Sequence, residues 1–319
     1  QRYLSCRAVQ ERMNLATRFI VSQYSGQSID TLSWEPWLLD VFYDDSLDGL
    51  NRYMAVVRLS FLYYNYKMYG RLEEVFDTLE DFFSQGLFYA PRILANYYAN
   101  RLLLHVRKGD LNRASYYGFL SIRFPGNDYL YYLSNLAAVL LRMQKNKESL
   151  FLLQKALPEL RRSNSAHTRI GFTAHYVQAL TANQKAAKAT SYAAGFLQTH
   201  SGEILRHRWH LFFSSYMAAL IEQEDYAAVI RTSKKYKLEE KDLQAESLPA
   251  YIPNFRWMLA LARYKQLQIS EQSLADTLNN SLQPHLNDSH KLSQLMEWAR
   301  RLSPHAPEAF AGIDVYFTP

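Results

Sequence analysis

Cysteine is almost missing: Cys6 stands alone among 319 residues. An internal disulfide and any cysteine-based zinc centre are thereby excluded. The same scarcity favours a reducing compartment, so a cytoplasmic location is expected. Glycine and proline are also few, 11 and 10 residues. That leaves little material for a turn-rich β protein, and helices are favoured. No apolar run approaches the roughly 20 residues needed to span a bilayer; Leu136–Leu141 is far too short. Motifs of chemistry are missing as well. There is no GxxxxGK[ST] or GxGxxG phosphate loop and no GxSxG or HExxH. His, Asp and Ser occur, but no spacing links them as a triad. The expectation is a chain that is not an enzyme and carries no cofactor. Methionine is missing at position 1, where Gln1 stands, and a leader or further domain upstream is the corresponding expectation.

What the chain does have is aromatic residues and unevenly spread charge. Residues 1–90 hold 8 Lys/Arg against 12 Asp/Glu, residues 91–243 hold 22 against 11, and residues 244–319 hold 6 against 7. The middle therefore carries all of the basic excess. A basic block can meet nucleic acid, anionic lipid or an acidic protein, or be a solvated lysine-rich surface.

Periodicity organises the chain. Five short turns align: YGRLEEVF at 69–76, KGDLNRAS at 108–115, MQKNKESL at 143–150, NQKAAKAT at 183–190 and QEDYAAVI at 223–230. With Gly70, Gly109, Gln144, Gln184 and Glu224 as matching positions, the intervals are 39, 35, 40 and 40 residues. A weaker sixth unit runs through 250–281. Around the third turn, Leu133, Leu136, Ala137 and Leu140 recur at helical spacing, as do Leu150, Leu153, Ala156 and Leu157. This predicts antiparallel hairpins of amphipathic helices. A hairpin that is apolar on both sides buries those sides only by stacking on neighbours.

The LxxLAxxL and ESLFLLQKAL segments of 133–157, KGDLNRAS with Pro125, and EDYAAVI at 224–230 resemble the tetratricopeptide repeat family over roughly residues 55–237. Gly118 departs from that pattern, standing where a large apolar residue is usual, and the intervals exceed the regular 34. The resemblance implies an all-α, right-handed α-α superhelix of antiparallel helical hairpins. The expected organisation is an N-terminal helix and aromatic connector at 1–48, repeats at 49–245, and C-terminal helices with a docked tail at 246–319. Residues 23–48 read as an irregular connector that packs Trp34 and Trp37 against the first hairpin. Residues 304–319 show no helical stripe.

Two clusters invite a metal reading. Asp40, Asp44, Asp45 and Asp48 offer hard oxygen ligands, but DDSLDG also supplies a helix N-terminus, where carboxylates cap free N–H groups. His207 and His210 in HRWH share a helix face, yet no third ligand is implied, and no metal site is assigned. His167 and His175 read as packing or surface residues. Tyr63, Tyr64, Tyr97, Tyr98, Tyr131 and Tyr132 recur on first helices and could stack single-stranded bases. Filling the gaps between helices explains them better.

The resemblance implies a non-catalytic scaffold that binds a peptide or protein segment in a concave groove. In such hairpins the first helix lines the groove. Its face opposite the packing stripe comprises Tyr64 and Lys67, Asn96 and Arg107, then Tyr131 and Arg142. Lys67, Arg107 and Arg142 would form a basic ladder for an acidic segment, although cations at helix C-termini also compensate the dipole. The alternatives are a nucleic-acid-binding solenoid, suggested by the basic middle section, and a sensor or regulatory domain of a larger enzyme.

Overall fold

The structure, a computed structural model, describes residues 2–22, 32–86, 90–124, 126, 128–206, 208–245, 252–311 and 313. Among them every regular element is helical, and no helix is long and apolar enough to cross a membrane. The described residues form two compact units, one ending at residue 126 and the other beginning beyond it.

The first unit holds α1 (Arg2–Ser22), α2 (Glu35–Tyr43), α3 (Gly49–Asn65), α4 (Tyr69–Ser84), α5 (Pro91–Lys108) and α6 (Leu111–Ser121). Of the segment read as an irregular connector, residues 23–31 lie outside the described residues; the described part contains α2, and for that part the reading is corrected. Pro36 sits in its first turn, where the missing N–H costs nothing. Leu38, Val41 and Phe42 are buried there, and Trp34 and Trp37 pack partly buried against the same core. Tyr63 closes the contact by donating to Glu35 Oε1 at 2.7 Å. Asp48 ends the acidic run as the N-cap of α3, accepting from Asn51 N at 3.0 Å.

The second unit holds α7 (Tyr129–Arg142), α8 (Asn146–Leu160), α9 (Ala166–Ala182), α10 (Ala186–Arg206), α11 (Trp209–Ile221) and α12 (Tyr226–Tyr236). It continues with α13 (Leu238–Ala245), α14 (Asn254–Lys265), α15 (Glu271–Leu282), α16 (Ser289–Leu302) and α17 (Pro307–Ala311). Within it α9 packs on α7, α8, α10 and α11, and α14 packs on α11, α12 and α15. The buried faces of α7 and α8 contain the periodic residues Leu133, Leu136, Ala137 and Leu140, with Leu150, Leu153 and Ala156. The tail read as lacking a helical stripe contains the one-turn helix α17. Its Phe310 is buried against Trp257, ring centroids 6.2 Å apart.

The hairpin turns share one device. Lys67, Gly109, Gln144, Gln184, Glu224 and Leu267 all have φ between 55° and 79°. The residue after each donates its N–H to the carbonyl five positions back, as Lys145 N does to Leu140 O at 2.9 Å. This is the left-handed C′ residue of a Schellman motif, which satisfies carbonyls left open at the helix end. The first matching position is therefore Lys67 rather than Gly70, which lies inside α4. Leu267 marks the sixth, weaker hairpin. The intervals become 42, 35, 40, 40 and 43 residues.

Only one of the six is a glycine, so a side chain is strained at the other five. Leu267 is the clearest case, with its side chain 92% exposed. Leu267→Gly is expected to raise stability by about 0.5–1 kcal/mol, and Gly109→Ala to lower it by about 1 kcal/mol. Urea denaturation midpoints check both; a fall for Leu267→Gly would show that the exposed leucine is held by contacts instead.

Candidate functional site

In the first unit, the expected groove residues fall into different settings. Tyr64 on α3 donates to Asn100 O at 2.8 Å, and Asn96 Oδ1 accepts from Tyr53 Oη at 2.6 Å and from Asn100 Nδ2 at 3.0 Å. Tyr64 and Asn96 thus meet through Asn100 in one polar cluster joining α3 to α5. Lys67 is exposed in the turn after α3, not on the helix face. Arg107 is exposed in the last turn of α5.

Arg142 and Tyr131 belong to the second unit, on α7. The Arg142 side chain is only 15% exposed, and its Nε donates to Glu297 Oε1 on α16 at 2.7 Å. It is not a solvated helix end. Tyr131 lies beside His167 of α9, with ring centroids 6.2 Å apart.

α16 packs on α14 and looks across open space at the face formed by α7, α9 and α11, reaching α7 through the pairing of Glu297 with Arg142. Two cavities separate α16 from this face. One, of about 350 Å³, is lined by Leu141, Gln144, Gln178, Thr181, Glu222 and Arg301 among others. The second, of about 280 Å³, is lined by Leu141, Arg142, His175, His210, Glu297 and Trp298 among others. Leu141, Gln178 and Arg301 border both. Of the 14 residues of α16, only Leu295, Ala299 and Leu302 are buried. The helix is seated by a narrow apolar stripe rather than embedded.

The electrostatics follow from desolvation. His175 sits within α9, its Nδ1 2.8 Å from Ser134 Oγ. Burial and the nearby Arg208 charge hold its pKa down to about 3. The same two causes hold His210 to about 4. Arg208 itself takes the left-handed conformation, φ 38°, before α11, and its guanidinium lies over Gly171, where a Cβ would collide. Gly171 therefore provides the space that puts a cation beside both histidines. Burial pulls Arg301 below the usual arginine range, partly offset by Glu297 and Glu222. Its guanidinium lies 5.3 Å from the Trp298 ring centroid.

Sequence reasoning missed His175, His210, Gln178, Glu297, Trp298 and Arg301 as neighbours. The Arg300-Arg301 pair reads locally as compensation of a helix C-terminus, and nothing nearby distinguishes one arginine from the other. In the structure Arg300 is exposed while Arg301 turns inward. His207 lies outside the described residues, as does Pro125. Among the described residues no three His, Cys, Asp or Glu side chains gather as a metal site. No protein-family model matches the chain, and no curated protein matches it.

Proposed function

We propose that the chain is a non-catalytic protein-interaction module, a tetratricopeptide-like right-handed superhelix whose first helices receive a peptide or protein segment. The observation that supports this reading is the seating of α16. An amphipathic helix carrying a carboxylate, Glu297, packs on α14 and reaches across the cavities to place its acid on Arg142 of α7. A face that accepts such a segment from its own chain has the chemistry to accept one from a partner. In the first unit, the exposed cations Lys67 and Arg107 are a separate candidate surface for an acidic segment.

Arg142 cannot serve as a neutral test position, because Arg142→Glu would set two carboxylates against each other. The double variant Lys67→Glu/Arg107→Glu is the cleaner probe. Charge-assisted contacts are worth about 1.5–3 kcal/mol each, so partner affinity is expected to fall at least a hundredfold with an unchanged melting temperature. The measurement is calorimetric titration with a partner isolated by co-purification and identified by mass spectrometry. Wild-type affinity in the double variant removes these cations from the site. A co-purified component that is nuclease-sensitive and is lost steeply with salt would replace the protein partner with nucleic acid.

A further inference from the structure

Arg301 occupies an unusual position. Its guanidinium borders both cavities of the second unit, yet among the described residues no hydrogen bond or direct ion pair engages it. Trp298 covers one face, and Glu222 and Glu297 attract it only from a distance. Arg142 shows the contrast, since it holds Glu297 directly at 2.7 Å. A cation withdrawn from water without a partner is costly, and one whose edge faces open space is poised to accept an anion.

We propose that the cavities flanking Arg301 form one binding site for a small organic monocarboxylate. The planar fork of a guanidinium matches the two oxygens of a carboxylate, and stacking on an indole leaves the donor edge available. The volumes, about 350 and 280 Å³, lie just above and just below the lower limit of about 300 Å³ for small-molecule pockets. Leu141, Leu211 and Ile252 provide apolar wall, while Gln178 and Ser214 provide polar groups to orient a ligand.

The charge balance selects the class. The linings contribute two cations, Arg142 and Arg301, and two acids, Glu222 and Glu297. His175 and His210 add no charge at neutral pH. With Arg142 holding Glu297, the lining is neutral before a ligand enters, so a monocarboxylate on Arg301 leaves one excess negative charge and a phosphate dianion leaves two. Because α16 supplies both Arg301 and Trp298, the ligand would bridge α16 to α7, α9 and α11 and hold the helix in place by linkage. This assignment does not depend on the chain's having a protein partner.

The test is isothermal titration of the full chain with hexanoate, benzoate, hexanamide and inorganic phosphate, alongside hydrogen exchange of α16. Saturable one-site binding of hexanoate or benzoate is expected, with hexanamide and phosphate at least tenfold weaker. Amide exchange in Ser289–Leu302 should slow at least threefold when the acid is bound. Arg301→Gln should weaken the acid at least tenfold while the melting temperature stays level or rises, since a desolvated charge is removed; a merely structural arginine would lower it. Ala138→Phe and Ala218→Phe, which each fill one cavity, should abolish binding in at least one case. The proposal is overturned if neither acid saturates, if hexanamide or phosphate binds as tightly as the acid, or if neither filling variant changes affinity.

Discussion

Acidification from pH 6.5 to pH 4.5 is expected to lower the unfolding free energy by on the order of 3 kcal/mol. The cause is the pair of desolvated histidines, held to about 3 for His175 and about 4 for His210. In the unfolded chain both take up a proton near the ordinary value of 6.5, while the folded chain leaves them neutral. Across this window the unfolded state binds more protons, so stability falls as pH falls. Each histidine contributes up to about 1.4 kcal/mol per pH unit until its folded pKa is reached. The sum is reduced because His210 is only partly buried and water reaches it. His175→Asn, which keeps a polar group facing Ser134, should reduce the acid slope by about half. Denaturant titrations at pH 6.5, 5.5 and 4.5 provide the measurement, and an unchanged slope in the variant would mean that His175 is protonated in the folded protein.

Ala137→Leu is expected to cost roughly 1–3 kcal/mol by overpacking. Ala137 is completely buried on α7, and Ala156 on the opposing helix is 2% exposed. The two helices approach closely enough that Ser149 Oγ on α8 donates to the Ala137 carbonyl at 3.0 Å. Three added carbons have no space without pushing α8 away and breaking that hydrogen bond. The urea midpoint should drop with little change in slope. An unaltered midpoint would show that this crossing repacks freely. Ala137→Gly would be the complementary probe, losing helix propensity by about 1 kcal/mol without any clash.

The helical hairpins were readable because their causes are local. Leu133–Leu140 and Leu150–Leu157 repeat at helical spacing, and the turn between them closes through backbone hydrogen bonds within six residues. The alignment slipped by three residues at Lys67 for a physical reason. A Schellman turn needs a left-handed residue but does not demand glycine, so Gly70 attracted the match while the actual turn used lysine. The helix α2 was obscured by Pro36, Trp34 and Trp37, which look like breakers until proline is placed in a first turn and the tryptophans, partly buried, against the core.

The candidate site was readable only in part. Arg142 was singled out as a cation for an acidic group, but its partner Glu297 lies 155 positions further along the chain. No periodicity spans that interval. Arg300 and Arg301 are adjacent in one helix and differ only in which way a 100° rotation turns them.

By itself the sequence determined the helical class, the antiparallel hairpins and the positions of most turns, because amphipathic spacing and end-capping act over a few residues. Tertiary structure alone decided that α16 pairs with α7 through Glu297 and Arg142, that Arg301 faces two cavities, and that His175 and His210 stay neutral. Those outcomes depend on desolvation, and desolvation at one residue is set by helices that the chain reaches much later.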